Sequence, residues 1–106
     1  MTWTKIAPVA DLPEGRGVRV ELPGHRIALF KVDDAVYAIG DRCSHAEASL
    51  AEGSIWGTRI ECPRHGAEFD LRTGAAETLP ATKPVPTYDT RVDEGFVYLA
   101  IPEESP

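Results

Sequence analysis

Two short stretches of this 106-residue chain carry most of its potential metal chemistry. The only two cysteines are Cys43 and Cys62, and each is followed closely by a histidine: His45 in Cys43-Ser44-His45, and His65 in Cys62-Pro63-Arg64-His65. Thiolates and imidazoles are soft or borderline metal ligands. In extended backbone, residues i and i+2 face the same side, so Cys43 and His45 can approach one centre together. Cys62 and His65 are three apart and need a turn. Pro63 presets φ for that turn, and Gly66 lets the backbone leave it without a Cβ clash. His25, the third histidine, stands apart in a predicted loop and reads as an exposed bystander.

Other chemistries use the same residue types. Zinc modules usually pair two cysteines two to four residues apart and then two histidines; here each pair is mixed, with one residue inside the first, although a mononuclear site can still be built. A Cys–His nucleophilic dyad is suggested by either pair alone, but its duplication argues against it. Chance clustering is the third alternative. Two cysteines allow at most one disulfide, and in a reducing compartment such a pair more often serves metal or redox chemistry.

The elements that must position these residues are short strands. Residues 17–20, 26–32 and 35–39 are rich in β-branched and aromatic side chains and bounded by Gly, Pro or Asp. Asp33-Asp34 predicts a tight hairpin between the last two. Short strands at 58–61 and 67–71 flank the second Cys–His pair, and 87–92 with 96–101 form a last hairpin across Asp93-Glu94-Gly95. Helical periodicity is weak, with one candidate turn near Pro8–Leu12. With nine glycines, nine prolines and about eight short strands, the fold class is all-β, an antiparallel β-sandwich or small barrel. The two Cys–His pairs sit beside strands as two loop fingers. Leu79–Pro86 carries three prolines, which cannot donate to a ladder, and reads as a stiff surface loop. No repeat or linker appears, so residues 1–106 read as one domain with its metal-binding part at about 41–70.

Composition narrows function. Seventeen acidic against eleven basic residues give a formal charge of −6, which argues against nucleic-acid binding, where Lys and Arg must displace phosphate counterions. No apolar run approaches the roughly 20 residues of a membrane span, and the N-terminus lacks a secretory h-region and a twin-Arg pair. These features predict a cytoplasmic protein with no membrane partner. No GxGxxG fingerprint is present, so a nicotinamide domain of that type is not expected. No exposed apolar stripe argues for an oligomer, and a monomer is the default.

Taken together, CSHAEASL and CPRHGAEFD follow the pattern C-x-H-x16-C-x-x-H, which resembles the Rieske signature. The resemblance continues upstream through ALFKVDDAVYAIGDRCSH, between the pairs through LAEGSIWGTRIEC, and downstream through DLRTGAAETLPATKPVPTYDTRVDEGFVYLAI. The chain is most similar to the soluble ferredoxins of multicomponent aromatic-ring dioxygenases. That resemblance implies one Rieske-type [2Fe–2S] cluster, with Cys43 and Cys62 on the inner iron and His45 and His65 on the outer one. It also places Leu79–Pro86 where the family's proline-rich loop shields the cluster. Neutral imidazoles leave the oxidised centre without net charge, consistent with Rieske potentials of about −150 to +300 mV against about −400 mV for plant-type ferredoxins.

The resemblance further implies an electron carrier, not an enzyme, passing single electrons from an NAD(P)H-dependent flavin-containing reductase to a terminal oxygenase. The small subunit of a nitrite reductase-type complex is an alternative of the same fold, and a structural zinc module an alternative of another class. Respiratory relatives place Ser and Tyr hydroxyls where this chain has Ala67 and Phe69, and an extra cysteine pair where it has Ala48 and Arg64. A potential near the low end of the range follows, with fingers braced by packing alone. Glu47, Arg64 and Glu68 flank the histidines and are the candidate docking contacts.

Overall fold

The computed structural model describes residues 2–43, 48–64, 66–78 and 83–101. Among the described residues, ten strands form three antiparallel sheets. The outer sheet is ordered β1 (Thr2–Pro8), β10 (Phe96–Ile101), β9 (Thr90–Asp93). The middle sheet is ordered β2 (Gly17–Leu22), β3 (His25–Val32), β4 (Ala35–Gly40), β8 (Thr87–Tyr88). The third is ordered β5 (Ser54–Trp56), β6 (Arg59–Glu61), β7 (Glu68–Asp70). The expected turn near Pro8–Leu12 is a 3₁₀ turn over Val9–Asp11.

The stack is explained by β3 and β4. A strand points alternate side chains to opposite faces, and both faces of these two strands are covered. Ile27, Leu29, Val36 and Ala38 pack with Val97 and Leu99 of the outer sheet. Ala28, Phe30 and Ile39 turn the other way, into a second core with Cys43, Cys62, Ile60, Ala67 and Phe69. The run Ile27-Ala28-Leu29-Phe30 is uninterrupted in hydrophobicity because it is fully buried on both sides. The middle sheet therefore serves as a shared wall between a β-sandwich and the third, smaller sheet.

The hairpin at Asp33-Asp34 forms as expected, with Val32 opposite Ala35. Both aspartates take left-handed φ values, 50° and 68°, the twist that two-residue hairpins favour. Glu94 and Gly95 repeat this at the last hairpin. Three elements differ from expectation. Thr2–Pro8 is a strand on the edge of the outer sheet, paired with β10 through a register shift between Lys5 and Ala7. Ser54–Trp56 is a strand of only three residues, held by β6. The single strand expected over 87–92 is split at Asp89: Tyr88 pairs with Ala38 of the middle sheet, while Thr90 pairs with Leu99 of the outer one. The chain changes sheets there, and the Asp89 carbonyl accepts the Ala100 N–H at 3.0 Å.

Candidate metal centre

Each cysteine stands at the root of a loop that leaves a strand end. After β4 the chain turns at Asp41, and the Cys43 N–H donates to the Ala48 carbonyl at 3.1 Å, closing a loop whose residues 44–47, including His45 and Glu47, lie outside the described residues. After β6 the Cys62 N–H donates to the Ala67 carbonyl at 2.7 Å, and the Gly66 N–H donates back to the Cys62 carbonyl at 3.0 Å. Pro63 and Arg64 form a turn and Gly66 has φ 75°, as the spacing requires; His65 lies outside the described residues. A Cβ at Gly66 would meet nothing closer than 3.8 Å, so the left-handed backbone alone calls for glycine there.

The two thiols are almost fully buried, 3% and 1% exposed, share one apolar core, and are not joined in a disulfide. Two buried sulfurs at the roots of neighbouring loops suit the inner side of a metal centre. Burial of the sulfur side in Phe30, Ile39, Phe69 and Val85 excludes water from the thiolates, one of the levers on a cluster's potential.

The first loop is anchored by Asp41, which the sequence reading did not single out. Its side chain is fully buried; one carboxylate oxygen accepts from the Ser49 hydroxyl at 2.7 Å and the Ala51 N–H at 2.9 Å, and the other from Arg26 at 3.3 Å. The second loop continues through β7 into a turn organised by Asp70. That carboxylate accepts from the Arg72 N–H at 2.8 Å and from its guanidinium at 3.3 Å. The hydrogen-bonded Arg72 guanidinium holds the Asp70 carboxyl below the usual aspartate range, against the opposing effect of burial. The Gly74 N–H donates to the Asp70 carbonyl, and the Gly74 carbonyl accepts the Val85 N–H at 2.9 Å. A signal for this turn was present in Asp70-Leu71-Arg72-Thr73-Gly74, where Asp bonds its own backbone two residues on.

Of the proline-rich stretch, residues 79–82 lie outside the described residues, while Lys83, Pro84 and Pro86 are exposed and Val85 is buried in the cysteine core. The stretch is thus not wholly a surface loop. Its ends are held by the same turn, through Gly74 to Val85 and through Thr78, whose hydroxyl accepts the Glu68 N–H at 2.8 Å. Pro86 also accepts the Gly40 N–H at 2.8 Å.

Ala67 and Phe69 are fully buried beside the cysteines and bring no hydroxyl. Ala48 packs against the same core, and Arg64 is exposed. Glu68 is partly exposed and its carboxylate pairs with Arg59 at 3.5 Å. His25 is no loop bystander either: it opens β3, is half-buried, and its Nδ1 lies 3.0 Å from the Tyr88 hydroxyl, with the rings edge to face at 5.7 Å. Burial pushes the Tyr88 phenol up.

A β-sandwich carrying a small third sheet, with two buried thiols at the roots of two loops, defines a two-finger metalloprotein. The chain belongs to the Rieske [2Fe–2S] domain family, whose profile matches residues 2–89. It is 47% identical over 100 residues to the 3-phenylpropionate/cinnamic acid dioxygenase ferredoxin subunit of Escherichia coli K12, covering 93% of each chain. Among solved structures it is similar to the ferredoxin of carbazole 1,9a-dioxygenase from Nocardioides aromaticivorans IC177, with 37% identity and a TM-score of 0.90 over 94% of this chain and 98% of that one. It also matches a chain from the complex of reduced oxygenase and oxidised ferredoxin in carbazole 1,9a-dioxygenase, with 39% identity and a TM-score of 0.87 over 92% of each. The cofactor is a Rieske-type [2Fe–2S] cluster, and the protein is an electron carrier, not a catalyst. No helix among the described residues is long and apolar enough to cross a membrane.

Proposed function

We propose that Cys43, Cys62, His45 and His65 are the four cluster ligands, and that the protein passes single electrons from an NAD(P)H-dependent flavin reductase to a terminal aromatic-ring dioxygenase. The observation that carries the ligand assignment is the pair of unlinked, buried thiols in one apolar core, each beginning a hydrogen-bonded loop with a histidine two or three residues on. When bound, the cluster supplies a one-electron couple. The chain's own part is to bury the sulfurs and hold both loops at their roots. The dioxygenase assignment is supported by relatives that are ferredoxins of aromatic dioxygenases and resemble this chain along nearly its whole length.

A monomeric carrier suits the surface: the exposed large apolar side chains among the described residues, Trp3, Trp56 and Val92, stand on three different strands. The test is a low-temperature EPR spectrum of the dithionite-reduced protein, followed by reconstitution with a flavin reductase and an aromatic-ring dioxygenase. A rhombic signal with average g below that of four-cysteine ferredoxins, together with electron delivery to the oxygenase, is expected. A colourless, EPR-silent protein holding stoichiometric zinc would overturn the reading.

A further inference from the structure

We infer that Asp41 is a positioning residue for the cluster: its carboxylate sets the geometry of the first finger by tying residues 49–51 to the end of β4. This deepens the proposed function and rests on its assignment of Cys43 and His45 as ligands. An aspartate buried without exposure is costly unless its oxygens are satisfied. Here one oxygen takes the Ser49 hydroxyl and the Ala51 N–H, and the other takes Arg26. The backbone of the same residue is engaged twice more: its N–H donates to the Arg26 carbonyl at 2.9 Å, and its carbonyl accepts the Leu50 N–H at 2.7 Å.

Asp41 thus joins three points: β3 through Arg26, the start of the finger through its own backbone, and the return of the finger through Ser49, Leu50 and Ala51. Arg42 and Ser49 form an antiparallel bridge one step outward, and Cys43 with Ala48 closes the next. Together these contacts form a ladder of three rungs whose innermost is the carboxylate. Cys43 itself stands on the outermost of these rungs. Arg26 is 45% exposed in its side chain while Asp41 is fully buried, so the ion pair itself is screened on one side. The two short bonds to Ser49 and Ala51 do most of the fixing.

Asparagine is nearly isosteric with aspartate, but its amide nitrogen cannot accept. In Asp41→Asn, either Arg26 or the Ser49–Ala51 pair faces a donor, and the finger loses its reference to β3. Ser49→Ala is milder, removing one hydroxyl and leaving the carboxylate in place. Thr90→Val is the matched control, since it removes a partly buried side-chain bond to the Val36 carbonyl that none of Arg26, Asp41, Ser49 or Ala51 shares.

The experiment measures iron release to a chelator, the EPR g-values and the reduction midpoint of each holoprotein, together with its unfolding midpoint. Asp41→Asn and Ser49→Ala are expected to release iron about tenfold faster or more and to shift the g-values and midpoint. Thr90→Val is expected to lower stability with the spectrum and potential unmoved. Release rates that follow unfolding stability on one line for all three variants, with unchanged g-values, would overturn the inference. If Asp41→Asn does not fold, Ser49→Ala decides alone. A wild-type protein with no Rieske signal would instead overturn the ligand assignment. Hydrogen exchange at the Cys43, Leu50 and Ala51 amides would then decide the loop-fixing role: faster exchange in Ser49→Ala supports it, and unchanged exchange overturns it.

Discussion

Gly74 offers the sharpest test of how the second finger is closed. Its φ of 76° lies in the left-handed region, and a Cβ added there would come within 2.2 Å of the Val85 carbonyl oxygen and 3.0 Å of Thr87 Cγ2. Gly95 has nearly the same backbone, φ 82°, with nothing within 4 Å of an added Cβ. Comparing alanine at the two positions separates backbone strain from the clash. At Gly95 only strain acts, about 1–2 kcal/mol. At Gly74 the same strain is joined by the displaced Val85–Gly74 hydrogen bond, about 1 kcal/mol, and by partial exposure of Val85, about 1–2 kcal/mol. Gly74→Ala should therefore cost roughly 4 kcal/mol in all, against about 1–2 for Gly95→Ala. For a domain near 100 residues each kcal/mol lowers Tm by about 4–8 °C, so the two melts should be well separated. Cluster lifetime in air gives the second readout, because Val85 seals the cysteine core and only Gly74→Ala displaces it. Equal losses of stability at the two positions, or an unshortened cluster lifetime in Gly74→Ala, would refute the closure argument.

Further outcomes follow from the site. Ala67→Ser places a hydroxyl beside the buried cysteines; redox titration should find the midpoint raised by about 40 mV if the new bond favours the reduced form by about 1 kcal/mol, and an unmoved midpoint would refute the hydroxyl argument. Cys43→Ser or Cys62→Ser should abolish the visible chromophore and the bound iron, read by absorbance and iron analysis, while far-UV dichroism of the sandwich persists. Because the folded Asp70 carboxyl is held below its ordinary value of 3.8, its contribution is present above that pH and lost as pH falls through the lower folded value. Denaturant titrations should therefore find Asp70→Asn less stable than wild type at pH 7, with the gap narrowing below pH 3.8; a pH-independent gap would contradict the Arg72 pairing.

How much of this was legible depended on whether the reason for a residue was local. The proposed ligands Cys43, His45, Cys62 and His65 could be nominated from sequence because ligand chemistry acts through residue type and short spacing. Asp33-Asp34 and Gly66 are readable because their left-handed backbones are intrinsic preferences. The strand Thr2–Pro8 was hidden because its evidence is its partner: Thr4 and Ile6 turn inward only when β10 lies alongside, and two threonines dilute the apolar alternation. Ser54–Trp56 is too short to show a period. The break at Asp89 could not be seen at all, since 87–92 keeps one strand-like composition while serving two sheets. Asp41 is the instructive omission. In sequence it is one charge among seventeen acidic residues, and only the convergence of Arg26, Ser49 and Ala51, drawn from 15 positions before it to 10 after, makes it the anchor of a finger.

The hydrogen bond from Gly40 to Pro86 also bears on how the molecule would come apart. The chain leaves the middle sheet after Gly40 and rejoins it after Pro86, where a Cβ on Gly40 would already press on the Pro86 ring at 2.9 Å. Closing a loop of about 45 residues costs roughly 3–4 kcal/mol of chain entropy, a cost the sandwich bears whether or not metal is bound. The outer and middle sheets keep a core of their own in Ile27, Leu29, Val36, Ala38, Val97 and Leu99, apart from the cysteine core, so loosening of the segment between Gly40 and Pro86 is expected to bare Phe30 and Ile39 before those two sheets part.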